Sequence, residues 1–126
     1  MRDRIGEFLR NSSVEPSDIN RVMLIIEEAA LLIRQENDKK DLLGEVTVCI
    51  EENRIVLHIK DDGKIFDVTD INAGTAASQN ILYRKMLELK IPRTYLPAAG
   101  SNRATYTIER TGTQISQQAC VHHKGD

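Results

Sequence analysis

No apolar run in this chain of 126 residues is longer than five residues, which is too short to cross a bilayer. The segment Met1-Arg2-Asp3-Arg4 lacks the apolar stretch of a secretory signal peptide. The formal net charge of −2 provides no cationic excess for nucleic acid or an anionic membrane. We therefore expect a cytoplasmic protein that binds no nucleic acid and does not insert into a membrane.

Cysteine is scarce, and the two that occur, Cys49 and Cys120, are too few for a disulfide framework. Cys49 lies in a predicted strand and Cys120 in a polar C-terminal segment, so we expect both to be reduced thiols. No internal repeat is present. Hydrophobic residues make up 40% and charged residues 29% of the chain, which is typical of one soluble globular domain.

Two helices are predicted in the first third of the chain. A short helix spans Ile5 to Leu9 and is ended by a polar run at 11–13. The segment Glu15-Pro16-Ser17-Asp18 is a helix-start signal with Ser17 as the N-cap. The core-facing stripe of this second helix has spacings of three and four; it consists of Ile19, Val22, Ile26, Ala29 and Ile33.

A β-hairpin follows, because apolar residues alternate on both sides of a polar turn at 51–54. If Ile50 pairs with Ile55, the side-chain period of two brings all six apolar residues to one face. Thr47 then faces His58 on the other side. The six inward residues are Val46, Val48, Ile50, Ile55, Leu57 and Ile59.

After the first hairpin, the sequence predicts an irregular segment over 61–79 and then a third helix. A second hairpin (94–96 with 104–110) and a disordered polar tail follow. The third helix ends before Pro92 and would turn Ile81, Leu82, Met86 and Leu89 inward. We predict a domain over 1–110 and a tail over 111–126. The expected fold is an α+β two-layer sandwich, with a mainly antiparallel or mixed sheet and helices on one face.

Two acidic pairs stand in apolar surroundings: Glu27-Glu28 in the second helix, and Asp61-Asp62 before Gly63 at the end of a strand. Because a buried carboxylate without a partner is costly, such acids commonly face a cleft. We therefore expect the two pairs to share a pocket. The alternative is that the first pair lies on the exposed side of the helix and the second in a surface turn.

The helix motif Ile25-Ile26-Glu27-Glu28-Ala29-Ala30 resembles the N box of the GHKL (Bergerat-fold) ATP-binding domain. The likeness covers residues 15–110 and is nearest to the histidine-kinase-like, anti-sigma-factor serine-kinase subtype. It implies that Glu28 stands where the family has its general base. The family's magnesium-binding asparagine comes one turn later, at Leu32, which has no oxygen to offer. Asn37 is no substitute, because nine residues from Glu28 it lies on the opposite helix face.

A second motif, from Lys60 to Asp67, is similar to the family's adenine-binding box. The resemblance implies that Asp61 receives the adenine amino group, that Gly63 permits close approach of the base, and that Phe66 plugs the loop. A third motif, at 73–80, corresponds to the glycine-rich phosphate segment. The residues it would contribute to cofactor binding are Gly74, Ser78 and Asn80.

The resemblance implies a degenerate ATP-binding regulatory domain that binds ATP or ADP, with weak or absent catalysis and no magnesium site. An alternative is a protein-interaction module on the same fold without nucleotide. A second alternative is an active protein kinase or ATPase of the anti-sigma type. Each predicts a protein partner, such as a sigma factor, a kinase or a larger host protein, and a homodimer is a further assembly to test.

Overall fold

The computed structural model describes residues 2–37, 44–70, 81–88, 91–97, 101–111 and 118–124. Its elements are three helices and five strands. The helices are α1 (Arg2–Asn11), α2 (Pro16–Glu36) and α3 (Ile81–Glu88). The strands are β1 (Gly44–Ile50), β2 (Arg54–Asp61), β3 (Arg93–Leu96), β4 (Asn102–Glu109) and β5 (Ala119–Lys124).

The strands form one sheet in the order β3-β4-β2-β1-β5, and every neighbouring pair is antiparallel. The predicted hairpin register is confirmed, since Ile50 pairs with Ile55 and Thr47 pairs with His58. Alternate residues of β1, β2 and β4 are buried. They form one core cluster with apolar residues of all three helices. The α+β class is confirmed, and this arrangement is compatible with a two-layer sandwich.

The first helix ends where the polar run predicts, at Asn11. Ser13 follows with a positive φ of 59°, a conformation that allows Val14 N to bond back to Leu9 O at 3.2 Å. Ser17 as the N-cap of α2 is wrong. The helix begins at Pro16, and the cap position is Glu15. The carbonyl oxygen of Glu15 accepts hydrogen bonds from Asp18 N and Ile19 N.

Asp18 replaces the missing cap as the anchor of α2. Its side chain is fully buried, and its Oδ2 accepts hydrogen bonds from the backbone N and the Oγ1 of Thr111 at 3.0 and 3.1 Å. Its Oδ1 accepts a bond of 2.7 Å from Arg21. Because both oxygens are bonded, the burial of this charge is compensated, and the start of α2 is fixed beside the end of β4.

Three further predictions need correction. Of the four residues predicted on one side of the third helix, Met86 is buried, Ile81 and Leu82 are 71% and 63% exposed, and Leu89 lies outside the described residues. The helix buries Tyr83 and Leu87 together with Met86. The predicted disordered tail contains β5, which pairs with β1. The predicted free thiols of Cys49 and Cys120 are joined in a disulfide. The last two corrections share a cause, because the polar sequence of β5 does not indicate a strand. Once β5 pairs with β1, Cys120 lies directly opposite Cys49.

Candidate functional site

The candidate site is at the end of β2, where Asp61 is the last strand residue and pairs with Asn102, the first residue of β4. Both side chains are nearly buried, with 7% and 2% exposure. One carboxylate oxygen of Asp61, Oδ1, accepts hydrogen bonds from Gly63 N at 2.8 Å and from Asn102 Nδ2 at 3.1 Å. No described contact uses the other oxygen, Oδ2.

The turn after Asp61 is fixed to the sheet by Asn102. Its Nδ2 also lies 3.1 Å from Gly63 O and 2.8 Å from Lys64 O. Its Oδ1 accepts a hydrogen bond of 2.6 Å from the hydroxyl of Tyr95. That hydroxyl accepts one of 2.9 Å from Phe66 N, and the Phe66 ring packs partly buried against the core. The buried amide of Asn102 therefore connects the turn to β2, β3 and β4.

Asn37 closes the other side of the turn. It follows the last residue of α2 and donates from Nδ2 to Ile33 O at 2.9 Å, while its Oδ1 accepts from Lys64 N at 3.0 Å. A Cβ placed on Gly63 would lie 2.7 Å from Asn37 Nδ2. The absence of a side chain at position 63 is therefore what allows this close contact. The sequence pattern points to Asn37 only as a possible magnesium ligand and does not indicate this contact with the turn.

Glu28 lies on α2 near a buried pair of tyrosines. Its Oε2 is buried and has no hydrogen-bond partner in the part of the chain that the structure describes. The hydroxyl of Tyr83 donates to Val68 O at 3.0 Å and is 2.8 Å from the hydroxyl of Tyr106. Burial is the main cause that raises the pKa of Tyr83 to about 12, and the negative charge of Glu28 adds to the rise. Burial also raises the pKa of Tyr106, so both phenols are neutral at pH 7.

The expectation that both acidic pairs share one pocket is wrong for Glu27. This residue is exposed and lines a cleft of about 300 Å³ between α1 and α2. A larger cleft, of about 530 Å³, lies between α3, the start of β3 and the segment 67–70. Neither cleft is lined by Glu28 or Asp61. The larger is lined by Asp67, Thr69, Asp70, Leu87, Ile91 and Arg93.

The charged groups of the larger cleft hold its walls together. Arg93 donates from Nε to Thr69 O at 2.7 Å and from Nη1 to Leu87 O and Ile91 O at 3.2 Å. Asp67 Oδ1 accepts from Thr69 N at 2.9 Å. A cleft of this size is within the range of ligand pockets, but Arg93 and Oδ1 of Asp67 are already engaged with backbone groups of its walls.

The residues present do not fit a magnesium site of the family's kind. Leu32 is 2% exposed and belongs to the hydrophobic core, so the turn of α2 after Glu28 offers no oxygen ligand. Among the described residues, no group of three or more His, Cys, Asp or Glu is placed to hold a metal ion. Gly74, Ser78 and Asn80, the expected phosphate-side residues, lie outside the described residues.

Comparison with known proteins returned no matching family model, no matching curated protein and no matching solved structure. Within the described ranges, no helix is both long enough and apolar enough to cross a membrane.

Proposed function

We propose that this protein is a degenerate ATP-binding regulatory domain of the histidine-kinase-like, anti-sigma type, in which ATP or ADP acts as an effector. The observation that carries the proposal is the Asp61 carboxylate. Its Oδ1 is bonded to the turn and to Asn102, while Oδ2 is engaged by no described contact. A fixed acceptor beside a residue without a side chain suits an exocyclic adenine amino group.

Efficient catalysis is not part of the proposal. Leu32 is buried in the core and cannot replace an oxygen ligand for magnesium. One oxygen of Glu28 is buried without a described hydrogen-bond partner, and no metal ligand stands one turn later, so Glu28 is at most a vestigial base. An active form would be an ATP-dependent protein kinase or ATPase, and it would need a metal held by other groups.

The second candidate is an interaction module without nucleotide, and the packing around Tyr83 favours it. Tyr83 and Tyr106 are buried and hydrogen-bonded between α3 and the sheet. Asn37 occupies the space directly above Gly63. A site closed by side chains in this way favours an interaction module over a nucleotide-binding domain. The partner in either case is a protein such as a sigma factor, a kinase or a larger host protein.

The cytoplasmic location stays a prediction, and the Cys49–Cys120 disulfide weighs against its simplest form. Disulfides persist mainly in oxidising compartments, and those found in a mesophilic cytosol are commonly transient or redox-sensing. A cytoplasmic form of this protein would therefore carry the bond as a reversible one.

Calorimetric titration with ATP and ADP, each with and without Mg²⁺, tests the first candidate. We expect binding that does not depend on Mg²⁺, and a loss of at least about tenfold in Asp61→Asn, since one bond to a charged acceptor is removed. Asparagine keeps the Oδ1 acceptor for Gly63 N, so the turn should survive the substitution. Asp62→Asn, at the exposed neighbouring position, is the matched control.

Each outcome selects one candidate. Equal affinity of wild type and Asp61→Asn would overturn the adenine-reading role of Asp61. No binding in any condition would leave the interaction module. Binding that requires Mg²⁺, together with phosphate transfer from labelled ATP, would establish the kinase reading instead.

A further inference from the structure

The face of the sheet turned away from the core carries a row of charges. In register across four strands lie Lys124 of β5, Glu45 of β1, Lys60 of β2 and Arg103 of β4. Residues directly opposite each other share a face, so the four side chains project from the same side. The row holds three cations and one anion, although the whole chain has a net charge of −2.

Two of the three cations, those of β2 and β4, lie directly opposite each other. Lys60 pairs directly with Arg103 in the antiparallel ladder, and like charges at such positions are destabilising. Glu45 is ion-paired with Lys124 at 3.9 Å. In the part of the chain that the structure describes, no acidic side chain forms an ion pair with Lys60 or Arg103. The fold therefore keeps a repulsive pair that a single substitution could remove.

The neighbouring row shows that the charge of Arg103 is felt on this face. His58 Nδ1 is 2.9 Å from Thr105 Oγ1, and this pair lies two residues along the strands from Lys60 and Arg103, on the same face. Burial, and then the positive charge of Arg103, lower the pKa of His58. An anion bound beside Arg103 would offset that charge.

An apolar residue extends the row of charges on the β3 side of Arg103. Leu96 of β3 pairs with Arg103 and is 63% exposed. Arginine next to an exposed apolar side chain is a composition typical of protein interfaces. The described residues of this face include no Phe, Tyr or Trp, and the imidazole rings of His58 and His122 are each hydrogen-bonded to a threonine. Base stacking on aromatic rings is a main contributor to sheet surfaces that bind single-stranded nucleic acid.

We propose that Lys60, Arg103 and Leu96 form a docking surface for an acidic segment of a partner protein. Carboxylates of the segment meet Lys60 and Arg103, and its apolar side chains cover Leu96. Binding removes the repulsion between the two cations, which gives the acidic partner an advantage over a neutral one. The surface does not include Asp61 or Gly63, so this proposal does not depend on nucleotide binding.

The test is titration of the full chain, without nucleotide, with an oligoglutamate peptide at low salt. Lys60→Gln with Arg103→Gln should lower the affinity about tenfold without lowering the melting temperature, because the substitutions remove a repulsion. The matched control is Arg34→Gln with Lys85→Gln. Both control residues are exposed, on α2 and α3, and their replacement changes the net charge equally.

Two further probes distinguish an acidic peptide from a neutral peptide and from a nucleic acid. Oligoglutamine should not bind, and a single-stranded DNA oligonucleotide should bind more weakly than oligoglutamate. The proposal is overturned if wild type does not bind oligoglutamate, or if both double variants lose affinity equally. It is also overturned if the DNA binds more tightly through Lys60 and Arg103, since the partner would then be a nucleic acid.

Discussion

The turn that follows β2 and the strand β5 are both rich in polar residues, yet they are held in place by different means. The turn is fixed by hydrogen bonds that the Asn102 amide donates, two of them buried, and by the bond that Asn37 accepts from Lys64 N. In β5 none of the six residues is buried, and half-buried positions alternate with exposed ones. That strand is held by its ladder with β1 and by the Cys49–Cys120 disulfide.

The difference shows two ways in which a polar segment of a chain can be held in one conformation. Around Asp61 the side chains of Asp61 and Asn102 are nearly buried, so losing a partner of Asp61 Oδ1 or of the Asn102 amide carries a desolvation cost. In β5 no side chain is more than half-buried, and Nδ1 of His123 is buried without a hydrogen-bond partner among the described residues, so few favourable buried contacts would be lost if the strand detached. A covalent link then takes the place of buried contacts, because it restricts the unfolded chain instead of adding packing.

Removing the disulfide should produce the largest effect. Cys49→Ser with Cys120→Ser opens a cross-link between residues 71 positions apart. The chain-entropy treatment puts the loss of unfolding free energy at about 4 kcal/mol, as an upper figure. Urea unfolding measures the loss. Hydrogen exchange should show β5 unprotected while the amides of Gly63 and Lys64 stay protected.

The control for this experiment is wild type reduced with a dithiol, which should reproduce the double variant. If the amides of β5 and of the turn lose protection together, the two regions form one cooperative unit. The turn and β5 would then not differ in the way that they are held in place.

Crowding the turn should have a smaller effect. In Gly63→Ala the new Cβ must displace the Asn37 amide, and this breaks the bond from Lys64 N to Asn37 Oδ1. We expect a loss of about 1–2 kcal/mol in unfolding free energy. Asn37→Ala alone should cost about 1 kcal/mol, measured in the same urea titrations.

The double variant decides whether the two residues act through one contact. Once Asn37 is alanine, Gly63→Ala has nothing to displace, so the two costs should not add. Additive costs would mean that position 63 requires glycine for a reason unrelated to Asn37.

How far the sequence predicts this structure depends on burial. The β1–β2 register was predictable because six apolar side chains alternate around a short turn, and a slip by one residue would expose all of them. The strand β5 was not, because its residues alternate between half-buried and exposed, with only Val121 packed against the core. An edge strand needs no strong apolar pattern.

The candidate site divides in the same way. Asp61 and Gly63 could be singled out because Asp-x-Gly after a strand is a local pattern. Asn37 and Asn102 could not, because their contacts with the turn span 27 to 41 residues along the chain. Nothing near either asparagine in sequence indicates where its amide will point. The Cys49–Cys120 bond was missed for the same reason.

The smallest effect concerns two histidine–threonine pairs on the outer face of the sheet. One lies within the β2–β4 ladder and the other at the β5 edge. His58 bonds to Thr105 inside the β2–β4 ladder, and His122 Nδ1 lies 2.8 Å from Thr47 Oγ1 at the β5 edge. The pKa of His58 is lowered from 6.5 in the folded chain, so the unfolded chain binds more protons between that lowered pKa and 6.5. Unfolding free energy should therefore fall as pH drops through this window and level off below it.

His58→Gln should flatten that pH dependence, and His122→Gln should leave it in place, as measured by urea unfolding across the window. Retention of the slope in His58→Gln would assign it to another group. Arg103 supplies part of the shift, so Arg103→Gln should flatten the slope partly. Oligoglutamate bound beside Arg103 should do the same, because its carboxylates offset the guanidinium charge. A slope unchanged by saturating peptide would place the acidic segment away from Arg103, whatever the affinity.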